Sequence, residues 1–145
     1  MTGNHPVPQN LIDLLHTERC SCVIGRADSI VICRERGVLD LLRLLETSPC
    51  VLDGACVADK VVGKGAAALM ILGGVSAVYA DVISRAALDL LAGAGIPAGF
   101  GECVDAIINR AGIGVCPVET LCHDCATADE CLPLIKDFVR QLNKT

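Results

Sequence analysis

The sequence predicts an α/β fold built on a mixed sheet with helices on both of its faces. Three observations carry that expectation. Two short apolar runs, residues 20–24 and 29–33, flank Gly25-Arg26-Ala27-Asp28, the pattern of a hairpin. After them, helical segments alternate with short apolar strands, which implies crossover helices and parallel neighbours. The composition supplies an aliphatic core: 52% of the residues are hydrophobic, while Tyr79, Phe100 and Phe138 are the only aromatics.

Taken in order, residues 11–16 place Leu11, Ile12, Leu14 and Leu15 on a short first helix. Cys20-Ser21-Cys22-Val23-Ile24 reads as a strand, with Cys20 and Cys22 on one face. Ser29-Ile30-Val31-Ile32-Cys33 is its partner. Gly37 opens a helix over 38–46, with its leucines at 39, 41, 42, 44 and 45, and Thr47-Ser48-Pro49 stops it. Residues 51–57 are ambiguous, broken at Asp53-Gly54. A helix over 59–72 follows from Asp59 as a plausible N-cap and from the Ala66-Ala67-Ala68-Leu69-Met70 run. Gly73-Gly74 ends it. Then come a strand at 75–80, a helix at 84–91 capped by Ser84, and a strand at 96–100. Residues 104–109 are apolar and fit either state. A helical turn at 117–122 and a final helix at 132–142 close the chain.

The 145 residues make one domain of ordinary size. Residues 1–10, with Pro6 and Pro8, read as a flexible lead-in, and 11–145 as the single domain. The net charge of −5 argues against a general nucleic-acid binder, which needs a basic face. The scarcity of aromatics argues against a stacking platform for single strands. The longest apolar run, 65–75, is far shorter than the roughly 20 residues of a membrane span. The N-terminus lacks a charged segment followed by an apolar stretch, so a cytoplasmic location with reduced thiols is expected. On that basis Cys20, Cys22, Cys33, Cys50 and Cys56 are small core residues.

Several strings carry a resemblance. They are Ala58-Asp59-Lys60-Val61-Val62-Gly63-Lys64-Gly65-Ala66-Ala67, Gly74-Val75-Ser76-Ala77-Val78-Tyr79-Ala80, Ile108-Asn109-Arg110 and Cys116-Pro117-Val118-Glu119. Together the chain resembles the uncharacterised DUF1893 family over roughly residues 15–142. The resemblance implies a fold similar to that of cytidine deaminases, a three-layer α/β/α sandwich, and it implies no activity. That architecture agrees with the element order above.

Zinc deaminases hold the metal with His-x-Glu or Cys-x-Glu at one helix start and Pro-Cys-x-x-Cys at the next. The matching segments here are Asp59-Lys60-Val61 and Asp81-Val82-Ile83-Ser84-Arg85, with neither pattern. A cationic Lys60 in place of a ligand opposes Zn²⁺. Zinc-dependent deamination is therefore not expected, and whether the chain is an enzyme at all is open.

The leading candidate site is the segment 59–64. On a helix, Lys60 and Lys64 share one face, and Gly63 and Gly65 let the backbone approach an anion at the N-terminus. The alternative is a solvated lysine pair whose glycines admit a neighbouring element. Asp59 and Asp81 are both expected at the carboxyl end of the sheet, where open α/β folds place ligands. In a catalytic version Lys60 or Lys64 polarises an oxyanion and Asp59 or Asp81 handles protons. Cys116 attacks, its thiol activated at a helix start with Pro117 at the first position and Glu119 one turn in. Alternatively Cys116 is a structural cap. Ser84, Asn109 and Arg110 complete the ligand-binding candidates.

Cys116, Cys122, Cys125 and Cys131 form a C-x5-C-x2-C-x5-C series with His123 inside it. The inner spacing suits a metal or redox pair, and the outer ones are long for an iron–sulfur run and wrong for a zinc finger. No cofactor is expected, the alternative being an iron–sulfur cluster or zinc on these four. Three functions stand open. The first is binding of a small anionic or nucleotide-like ligand at 59–64. The second is a redox or metal module on the C-terminal cysteines. The third is a non-catalytic domain that forms homo-oligomers.

Overall fold

The computed structural model describes residues 6–27, 29–35, 38–107 and 117–142. Five strands form one open sheet: β1 (Cys22–Arg26), β2 (Ser29–Cys33), β3 (Cys56–Val62), β4 (Ala77–Ser84) and β5 (Ala98–Val104), in the order β2-β1-β3-β4-β5. The β1–β2 hairpin is antiparallel, as is the β1–β3 pair, while β3–β4 and β4–β5 are parallel. The sheet is therefore mixed, as expected. Its parallel part is joined by two helices, α3 (Lys64–Gly73) between β3 and β4 and α4 (Arg85–Gly93) between β4 and β5. The others are α1 (Gln9–Thr17), α2 (Leu39–Thr47), α5 (Pro117–Cys122) and α6 (Ala128–Leu142).

The two faces are unequal. Among the described residues one carries α1 alone, over a small core of Val7, Leu11, Ile12, Leu15, Cys20, Val23, Ala58, Ala77 and Tyr79. The other carries α2 to α6, over the larger core that includes Ile24, Val57, Leu69, Met70, Val78, Ile83, Leu91 and Ile135. The lead-in is shorter than its sequence suggests, because α1 already begins at Gln9 and Val7 is buried beneath it.

The principal correction concerns residues 59–62. They do not open a helix: they are the last four residues of β3, and α3 starts at Lys64 with Gly63 as N-cap in extended backbone. Propensity lost to pairing here. The stretch Cys56–Val62 is the middle strand, with β1 on one side and β4 on the other. A strand hydrogen-bonded on both edges outweighs a few tenths of a kcal/mol of local helix preference. Asp59 is therefore not an N-cap, and Lys60 and Lys64 are not on one helical face. Cys20 also differs: it precedes β1 and packs in the α1-side core, while Cys22 faces the larger one.

β4 and β5 run further than the apolar runs suggest, to Ser84 and Val104, which takes Asp81 into a strand. Within β3, Lys60 and Val61 are both exposed between buried Asp59 and Val62. The two-residue alternation slips there, so Asp59 and Val62 both face the five-helix layer. Helix α6 begins four residues before its expected start, taking in Cys131.

Candidate functional site

Two polar clusters lie on opposite faces of β3 and β4, one at their carboxyl ends and one midway along β4. On the five-helix face the centre is Glu119, in the first turn of α5 and 9% exposed. Its Oε1 accepts the backbone N–H of Lys64 at 2.6 Å and the Ser84 hydroxyl at 3.4 Å. Its Oε2 accepts the N–H of Ile107 at 3.2 Å. Ser84 caps α4 as its sequence position implies, accepting the N–H of Ala87 at 3.2 Å. The positive end of α3 thus already has an anion: the chain's own carboxylate. Glu119 caps a different helix from the one it belongs to.

Lys64 is turned away from solvent. Its ammonium donates to the carbonyl oxygens of His123 at 3.1 Å and Cys125 at 2.5 Å, just past the end of α5. A buried cation there satisfies carbonyls that have no intrahelical partner. The two glycines serve the same junction. A Cβ on Gly65 would lie 2.3 Å from Val118 Cγ1, and one on Gly63 would lie 3.0 Å from Glu119 Oε1. They admit α5, the neighbouring-element alternative raised by the sequence.

Asp59 lies deeper in the same layer, beside Cys22 in the β1–β3 register. Its Oδ1 accepts the N–H of Val61 at 3.2 Å. Burial, only partly offset by backbone hydrogen bonds, pushes its carboxyl up to about 7.

The α1 face holds a different constellation. Asp81 Oδ1 accepts the Tyr79 hydroxyl at 2.9 Å and meets His16 Nε2 at 2.7 Å. Tyr79 and Asp81 are two apart on β4 and so share this face, and His16 comes from the last turn of α1. Burial first, then Asp81, pushes the Tyr79 hydroxyl up to about 12. His16 is 47% and Asp81 31% exposed at the side chain, so this cluster is open to solvent. In the β3–β4 register Lys60 lies between the pairs Asp59–Ala80 and Val61–Val82, at the level of Asp81. Lys60 is exposed, and among the described residues its ammonium makes no ion pair. Gly101 on β5 is required at this edge, since a Cβ there would lie 2.9 Å from the Asp81 carbonyl oxygen.

The sequence candidates therefore separate. Lys64, Glu119, Ser84, Gly63 and Gly65 meet on one face, with Asp59 beneath the same helix layer. Lys60 and Asp81 lie on the other, with His16 and Tyr79, which sequence reasoning missed. The Tyr-x-Asp spacing on a strand was the available signal for Tyr79, and nothing local marked His16. Asn109, Arg110 and Cys116 lie outside the described residues. Of the C-terminal cysteines, Cys122 and Cys131 are buried and Cys125 is half-buried. Among the described residues no group of three His, Cys, Asp or Glu side chains is arranged to hold a metal ion. No described helix is long and apolar enough to cross a membrane.

Comparison with known proteins adds to this geometry. The family model for the domain of unknown function DUF1893 (TM1506) matches residues 10–139. The chain is similar to the crystal structure of a DUF1893 family protein, TM1506, from Thermotoga maritima, with a TM-score of 0.81 at 23% identity, covering 94% of this chain and 95% of that one. That likeness speaks for the fold. No curated protein matches the chain.

Proposed function

The chain belongs to the DUF1893 family, and from that premise we propose that it binds a small anionic ligand on the α1 face, beside Lys60 of β3 and Asp81 of β4. One observation carries the reading: the Tyr79–Asp81–His16 hydrogen-bonded chain ends in an exposed imidazole on the face that Lys60 shares. Asp81 fixes the imidazole ring through Nε2, and the protonated ring then has its Nδ1–H to donate to an oxyanion. Lys60 adds a mobile ammonium, a point charge suited to phosphate or carboxylate. Nucleotide-like molecules are the first class to test. The same ring, oriented by a carboxylate, has the form of a general acid or base.

The other face supports no such reading. Its helix N-terminus is filled by Glu119 and its lysine is spent on carbonyl oxygens. Calorimetric titration of the full chain with inorganic phosphate and with nucleoside mono- and diphosphates tests the proposal. Lys60→Ala is expected to weaken binding about 10-fold, the scale of one charge-assisted contact. Asp81→Asn is expected to weaken it as well. Unchanged affinity in Lys60→Ala, with loss of binding in a folded Lys64→Met protein, would move the site to the five-helix face and sink the reading.

A further inference from the structure

Resting on the ligand reading above, we infer that the α1-face site takes a dianionic oxyanion of the phosphomonoester class together with one proton, which settles on the His16 ring. It follows from how Asp81 is hydrogen-bonded. Its Oδ1 accepts the Tyr79 hydroxyl at 2.9 Å and lies 2.7 Å from His16 Nε2. An ionised carboxylate has no hydrogen to give, so the hydrogen in the second bond belongs to Nε2. The neutral ring is thereby held as the Nε2–H tautomer, with a lone pair at Nδ1. Nδ1 makes no hydrogen bond among the described residues, and the side chain is 47% exposed.

A lone pair repels an oxyanion. Protonation turns Nδ1 into a donor and leaves the bond to Asp81 in place, so anion binding and proton uptake are linked. Lys60 stands at the level of Asp81 on the adjacent strand, one strand spacing of about 4.8 Å away. The ligand then meets two positive groups, an ammonium and an imidazolium. A phosphomonoester above its second pKa of about 6 carries two negative charges and matches them. A phosphodiester carries one and leaves a cation unmatched.

The other groups near the ring are already engaged or positive. Asp13, one turn earlier on α1, accepts from Gln9 at 3.0 Å. Glu18 pairs with Arg34 at 3.7 Å. The Cys20 thiol is buried and turned to the Leu15 carbonyl at 3.9 Å. Burial and Asp81 push the Tyr79 hydroxyl up to about 12, so it stays a donor to Asp81 across the neutral range. Lys60 and exposed Arg19 are cationic and oppose a charge on the ring until an anion arrives.

The test is a nuclear magnetic resonance titration of the full chain with methyl phosphate and with dimethyl phosphate, the matched monoester and diester. With three histidines in the chain, the His16 ring signals are assignable. At about pH 8 a free phosphomonoester has lost its second proton. Methyl phosphate is then expected to move the His16 signals to those of a charged ring. Its affinity is expected to fall by about 10-fold per pH unit above that point, the slope of one proton taken up. Dimethyl phosphate is expected to bind about 10-fold more weakly, the scale of one charge-assisted contact. In His16→Gln, weak binding that no longer depends on pH is expected from backbone amide shifts. Methyl phosphate binding to a ring that stays neutral, or equal affinity for the diester, overturns the inference and leaves the ligand site standing. No response to either probe at any pH removes the site, and the inference with it.

Discussion

Asp59 and Asp81 make the useful comparison. They stand on neighbouring parallel strands within one residue of the same level, since Asp59 pairs with Ala80. Both were candidates for the same site. They point to opposite faces, and the faces give them opposite fates. Under five helices Asp59 is 6% exposed and held near neutrality by burial. Under α1 Asp81 keeps contact with water and holds an imidazole in place. The thick face turns polar residues into internal fasteners. The thin face leaves them available. A residue's chemistry is thus set less by its type than by how many elements are stacked over it.

The largest expected effect tests the thick face. A carboxyl whose folded-state pKa lies above its unfolded value favours the fold only while it is protonated. Between about pH 4 and 7 the folded protein keeps a proton that the unfolded chain has lost, so stability falls as pH rises and levels off above that window. The swing is on the order of 4 kcal/mol. Asp59→Asn is expected to flatten it, leaving the variant more stable than the parent at alkaline pH. Urea unfolding of both proteins across the window measures this, and coincident pH profiles would refute it.

Next comes the fastener itself. Glu119→Ala strands the N–H groups of Lys64 and Ile107 together with the Ser84 hydroxyl, at a cost of about 3 kcal/mol. Glu119→Gln keeps an acceptor oxygen and is expected to recover part of the loss. Equal stability of the two variants in denaturant would show that Glu119 is not an internal cap. Lys64→Met keeps the buried stem but drops two carbonyl bonds, a loss of about 2 kcal/mol in the same measurement.

The smallest effects belong to the thin face. Asp81→Asn and His16→Ala break an exposed pair, so each is expected to change stability by under about 1 kcal/mol. Their consequence is expected in ligand affinity. Either variant unfolding the protein as severely as Glu119→Ala would erase the distinction between the faces.

Much of the scaffold was legible because its signals are local. The hairpin runs, the Ser84 cap and the Ala66–Met70 helix each rest on a handful of adjacent residues. The segment at 59–62 was misread because its identity is settled non-locally, by β1 and β4 pairing on either side. The site failed at the same step. Asp59, Lys60 and Lys64 are close in sequence, yet a strand sends Asp59 and Lys60 to opposite faces and Lys64 lies beyond the strand's end. Glu119 was placed one turn into its own helix, beside Cys116. Its true partner is 55 residues away, beyond the reach of any spacing rule. His16 carries no sequence signal, because only the docking of α1 brings it to Asp81.

The sheet is open, and its two borders are not equally guarded. On β5 the run Ala98-Gly99-Phe100-Gly101-Glu102 mixes poor strand formers with an exposed charge, features that discourage another chain from adding on. On β2 the border is Ser29-Ile30-Val31-Ile32-Cys33, β-branched at its centre, uncharged, and with Ile30 48% exposed. When the hairpin frays, that border is the template on which misassembly between molecules starts, and a lysine in place of Ile30 would guard it.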